Sequence, residues 1–133
     1  MLELYNYNIN DSELKELINI NKEIISLTEY EIKELLDILV YINCNEKQIK
    51  NIILCNPFYL SRIKEDVEDL INKLKEYSFN ELNLLFESNP LLLNKNDFEI
   101  EDYIKNRLKE DISLEKVIEE IENNPFIIDE IEV

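Results

Sequence analysis

The chain has 133 residues and carries 14 Lys and Arg against 30 Asp and Glu, a formal charge of −16 at pH 7. Its length suits one domain, and at 45% hydrophobic content it can bury a core instead of staying disordered. Neither His nor Gly occurs, which excludes His-dependent nucleophiles, His metal sites and glycine-rich phosphate loops, while the negative field opposes binding to phosphate or anionic lipid.

The first residues, Met1 to Asn6, lack a basic stretch followed by an apolar run, so no secretory signal is expected. No apolar run approaches the ~18 residues of a membrane span, and a soluble, cytoplasmic protein is expected. Residues 1–9 alternate weakly through Tyr5, Tyr7 and Ile9 and predict an extended N-terminal cap.

From residue 10 the chain repeats itself. Asn-Pro recurs as Asn56-Pro57, Asn89-Pro90 and Asn124-Pro125, each followed by an apolar triplet. Lys22 stands at the equivalent place after Asn21 in a degenerate first copy, as terminal copies allow. Twelve positions before each of these points lie Asn10, Asn45, Ser78 and Ser113, all good helix N-caps. Glu13, Gln48 and Glu81 complete capping boxes with the first three; Lys116 breaks the pattern in the last.

A helix of about ten residues therefore runs from each cap to the Asn, where the following proline stops it. With no glycine available, Asn is expected to take the left-handed helix ending there, and the apolar triplet is expected to form a short 3₁₀ turn. Thr28 and Glu31 form a further capping box that opens a stripe at Ile32, Leu35, Leu36, Leu39 and Ile42. Thirty-five residues on, the stripe recurs at Val67, Leu70, Ile71, Leu74 and Tyr77, and less regularly at Ile100, Tyr103, Ile104 and Leu108. This spacing buries one face of each longer helix.

The units read as about 10–44, 45–77, 78–112 and 113–133. A single unit cannot bury its own stripe, so the units should stack. The expected fold is an all-α, right- or left-handed solenoid of about 3.5 repeats of 33–35 residues, forming a single domain over 1–133.

Cys44 to Ser61 and Ser78 to Leu93 resemble repeats of the mitochondrial transcription termination factor (mTERF) family. The resemblance implies a helix ending near Asn-Pro, a short helix and then a longer one. It also implies nucleic-acid binding, because the family's members are longer, basic, nucleic-acid-binding solenoids. This chain is shorter and opposite in charge.

Charge is uneven along the sequence. Residues 1–44 hold nine acids and three bases, 45–77 six of each, and 78–133 fifteen and five. Glu115, Glu119 and Glu122 share one helical face beside Glu120, and Glu99, Glu101 and Asp102 load the preceding long helix. These seven are the candidate partner-binding residues. They form either a solvated face that keeps the protein soluble or a field that attracts a basic partner.

The central bases Lys47, Lys50, Arg62, Lys64, Lys73 and Lys75 are offset by acids. Lys64–Glu68 and Asp69–Lys73 are placed as helical ion pairs. Tyr5, Tyr7, Tyr30, Tyr41 and Tyr59 are candidate interface anchors, whereas Tyr77 and Tyr103 are expected in the core. Cys44 and Cys55 are expected as buried, reduced thiols. Phe126, Ile127, Ile128 and Ile131 form an apolar edge that would either cap the stack or mediate a homodimer.

No catalytic residues, cofactor or metal site are expected. The sequence reads as a non-enzymatic interaction module for a basic, nucleic-acid-binding protein, including an inhibitor that imitates nucleic acid. In size and charge it is similar to small acidic phage-borne antagonists of host defence. The alternative is mTERF-like nucleic-acid binding through the central unit.

Overall fold

A computed structural model describes residues 2–124 of the chain. The described residues are helical and contain no strand: α1 (Leu2–Tyr5), α2 (Asp11–Ile20), α3 (Glu29–Tyr41), α4 (Glu46–Cys55), α5 (Lys64–Glu76), α6 (Leu82–Ser88), α7 (Asp97–Leu108) and α8 (Leu114–Asn123). Three 3₁₀ turns, Lys22–Ser26, Pro57–Ser61 and Pro90–Asn94, join the short helices α2, α4 and α6 to the long helices α3, α5 and α7. Two of these turns open on proline, whose fixed φ and missing N–H suit a first helical position. The turn expected at the third Asn-Pro, from Pro125 on, the apolar edge at Phe126, Ile127, Ile128 and Ile131, and the acids Asp129, Glu130 and Glu132 lie outside the described residues.

Local signals place most helix starts. The side chains of Asn10, Thr28 and Asn45 accept from the backbone N–H three residues on, at 2.8, 3.1 and 2.8 Å. Glu13, Glu31 and Gln48 reach back to the capping N–H groups at 3.0, 3.0 and 2.9 Å. Ser113 caps α8 by accepting from Lys116 N–H at 3.2 Å. The N-terminus is not extended: residues 2–5 form α1, whose first N–H groups, on Leu2 and Glu3, donate to the Glu29 carboxylate at 2.9 and 3.0 Å. A carboxylate borrowed from α3 supplies what a local cap would.

The left-handed residues sit elsewhere than the sequence suggested. Asn21, Asn56, Asn89 and Asn124 have φ of −127°, −139°, −138° and −142°. Among the described residues, positive φ occurs at Asn8, Asn43, Ser78 and Asp111, at 64°, 72°, 72° and 61°. Asn43 and Ser78 close the long helices α3 and α5 in paired bonds. Asn43 N–H donates to Val40 O and Cys44 N–H to Leu39 O, both at 3.0 Å; Ser78 and Phe79 repeat this on Lys75 O and Leu74 O at 2.9 and 3.1 Å. This is the Schellman ending built without glycine. Ser78 is thus committed to ending α5 and does not cap α6, which starts at Leu82 without a side-chain cap and has seven residues against ten in α2 and α4.

What the Asn of Asn-Pro does instead is reach forward. Asn21 Nδ2 donates to Pro57 O at 3.1 Å and Ser61 Oγ at 2.6 Å. Asn56 Nδ2, thirty-five residues later, donates to Pro90 O and Asn94 Oδ1, both at 3.0 Å, and Asn94 Nδ2 returns a bond to Asn56 Oδ1 at 3.1 Å. Asn21, Asn56 and Asn89 are all buried. Arg62 adds a second tie, donating to Leu93 O at 3.1 Å and Lys95 O at 2.8 Å.

These ties accompany one continuous core. It includes Ile32, Leu35, Leu36, Leu39 and Ile42 of the first stripe, Val67, Leu70, Ile71 and Leu74 of the second, and Ile100, Tyr103 and Ile104 of the third. Tyr77 is half-buried against it and Leu108 is 37% exposed. Helix α5 lies along α7, α4 along α6, and successive 3₁₀ turns touch.

Two expectations about single residues fail here. Tyr59 is fully buried; its hydroxyl donates to Leu35 O at 2.6 Å, which satisfies the polar end and lets the ring fill the core. Cys44 is buried, and burial pushes its thiol up to about 12, but Cys55 is exposed at the end of α4.

Candidate interaction surface

The acids of α7 and α8 divide into two groups. Glu99 accepts from Asn96 N–H at 3.0 Å and lies 3.7 Å from Lys95. Glu101 lies 2.9 Å from Lys105 and 3.7 Å from Lys73, and the hydrogen bond from Lys105 holds its carboxyl below the ordinary value. Glu120 receives both carboxylate contacts from Arg107 Nη2, at 3.1 and 3.0 Å. These three are structural members of α7 and its junction with α8.

Asp102, Glu115, Glu119 and Glu122 are exposed and make no ion pair with another described residue. The last three project from the polar side of α8, whose opposite side buries Val117 and Ile121. Of the seven candidate acids, four therefore present charge outward and three are spent on intramolecular contacts. Sequence spacing marks Lys105–Glu101 and Lys95–Glu99 as i,i+4 pairs, whereas Lys73 and Arg107 reach Glu101 and Glu120 from other helices.

The central bases are similarly engaged. Lys50 lies 3.4 Å from Glu13, Lys64 3.2 Å from Glu34, and Lys73 2.9 Å from Glu76. Arg62 holds two backbone carbonyls. Lys75 Nζ sits 4.2 Å over the Tyr41 ring centroid and 3.1 Å from its hydroxyl. The ion pairs Lys64–Glu68 and Asp69–Lys73 expected within α5 are replaced by these contacts: Lys64 reaches Glu34 on α3, and Lys73 pairs with Glu76 on its own helix and, at 3.7 Å, with Glu101 on α7. Lys47 is exposed.

A groove of about 650 Å³ runs between α3 and α5, with Tyr30 and Tyr41 on one wall and Ile38 and Ile71 at its apolar base. The tyrosines are 71% and 67% exposed. Tyr5 is exposed as well, and its hydroxyl donates to Asp11 at 2.5 Å; Tyr7 is half-buried against the core. Of the five tyrosines proposed as anchors, Tyr5, Tyr30 and Tyr41 are exposed, and the groove joining the last two depends on how α3 and α5 pack.

No Asp or Glu is buried among the described residues, and none of their acids and cysteines form a group of three or more able to hold a metal ion. No described helix is long and apolar enough to cross a membrane. No protein-family model matches the chain, and no curated protein matches it significantly.

Proposed function

We propose that this chain is a non-enzymatic interaction module, an mTERF-like α-solenoid of about 3.5 units, whose acidic surface docks a basic protein in the cytoplasm. The recurrent order of short helix, 3₁₀ turn and long helix supports the stacked architecture, as do the forward ties from Asn21 and Asn56. The observation that carries the functional reading is the set Asp102, Glu115, Glu119 and Glu122, outward-facing and unneutralised by described cations. A single-sign field of this kind accelerates capture of an oppositely charged partner. A nucleic-acid-binding protein is the favoured target, because its groove for phosphate already matches a row of carboxylates.

The engagement of Lys50, Arg62, Lys64, Lys73 and Lys75 within the molecule weighs against direct phosphate binding, which needs cations free to replace counterions. Reversing Glu115, Glu119 and Glu122 to Lys tests the reading. At physiological salt the variant should lose capture of basic proteins that the parent retains, with its helical content and melting temperature preserved. Unchanged capture, or retention of DNA or RNA by the parent in a filter-binding titration, contradicts it.

A further inference from the structure

The groove between α3 and α5 has a construction that the acidic face does not. Tyr30 and Tyr41 stand eleven residues apart on α3, about three turns or ~16 Å along its axis, and both rings are largely open to solvent. Lys64 and Lys75 occupy the same spacing on α5. The positions thirty-five residues beyond the tyrosines, Glu65 and Glu76, are acids, so the aromatic ends are not a by-product of the repeat. Helices α3 and α5 meet less closely than α5 and α7, which opens the base at Ile38 and Ile71.

One cation already rests on this wall: Lys75 lies over Tyr41 at 4.2 Å, in the geometry of a cation–π contact. Lys64 and Lys33 line the groove as well, paired there with Glu34 and Asp37 at 3.2 and 2.8 Å. That leaves Glu68 as an exposed carboxylate lining the groove without an ion pair to another described residue. An open aromatic face in a groove lined by three carboxylates and two lysines, in a protein of charge −16, is complementary to guanidinium, which stacks on rings and pairs with carboxylate in ways an ammonium does not.

We propose that this groove seats an arginine-bearing segment of the basic protein partner, with Tyr30 and Tyr41 as stacking platforms and Glu68 as the carboxylate contact. The proposal rests on the docking function above and supplies its short-range specificity, while the α7–α8 acids act at long range. Lys75 is then an internal competitor that the incoming arginine displaces from Tyr41.

The probes are two capped octapeptides of equal charge, alternating Arg with Ala or Lys with Ala, titrated by fluorescence anisotropy at 150 mM salt. The arginine peptide should bind about tenfold more tightly, the scale of one stacked and paired guanidinium. Glu68→Gln, or Tyr30→Ala with Tyr41→Ala, should erase that preference, and Tyr30→Phe with Tyr41→Phe should keep it. Lys75→Ala should tighten arginine-peptide binding several-fold, a gain that misfolding would not produce.

Equal affinity for the two peptides in the parent, or an arginine preference untouched by these substitutions, overturns the groove assignment. Binding of free arginine amide as tight as that of the octapeptide overturns a protein segment in favour of a small ligand. Loss of both peptides on reversal of Glu115, Glu119 and Glu122, with no arginine preference, sinks the groove alone. Failure of both peptides to bind sinks the groove and the docking function together.

Discussion

A chain without glycine must make its sharp endings from other residues, and the choice is visible at Asn8, Asn43, Ser78 and Asp111. Asn and Asp tolerate the left-handed region because their short polar side chains bond locally. Ser78 has less relief. Ser78→Gly should raise stability by about 1 kcal/mol, read as an upward shift in the urea midpoint with the slope unchanged; no change or a loss would refute strain at this position. The capping carboxylates give a second test. Backbone N–H groups of Asn10 and Thr28 hold Glu13 and Glu31 below their ordinary value of 4.5. A group so depressed contributes stability above its unfolded value, and the contribution is lost as pH falls through the folded one. Replacing both with Gln should therefore reduce the loss of stability between pH 5 and pH 3, measured by urea unfolding at each pH.

At the level of helices and turns, the same residue type serves two ends. The Asn before proline looks from sequence like a helix terminator in the left-handed region. Its φ stays negative, and its side chain is used to tie one turn to the next, as Asn56 does with Pro90 O and Asn94. Asn56→Ala should cost about 1 kcal/mol, because it leaves the part-buried acceptors Pro90 O and Asn94 Oδ1 without that donor; thermal unfolding would register it, and a cost near zero would show the tie to be incidental.

This contrast explains what the sequence could and could not reveal. Capping boxes, proline-led turns and apolar stripes are set by residues three to seven apart, so they are readable along the chain. The Asn ladder, Arg62 on Leu93 O, Tyr59 on Leu35 O and the groove beside Tyr41 all join residues more than twenty apart. The candidate acids show this limit in part: Glu99 and Glu101 have lysines four residues away, but Lys73 and Arg107 reach Glu101 and Glu120 from other helices. Ser78 misled for a subtler reason. Its distance from Pro90 matches the other caps, but Schellman closure of α5 claimed it first and shortened α6.

Across the whole molecule, charge shapes both stability and association. An excess of sixteen negative charges repels itself in the compact state. Raising salt from 20 mM to 200 mM should raise the melting temperature, since screening lengths shrink over that range; a fall would mean that ion pairs such as Arg107–Glu120 outweigh the repulsion. The same salt should weaken association with a basic partner.

The most direct test of the docking function is zero-length carbodiimide coupling of the protein to the basic protein it captures, followed by mapping of the joined residues. Such coupling links only carboxylates and amines already in contact, so the account predicts bonds from Asp102, Glu115, Glu119 or Glu122 to lysines of the partner. Joined residues confined to the lysines of this chain, with α7 and α8 untouched, would contradict it.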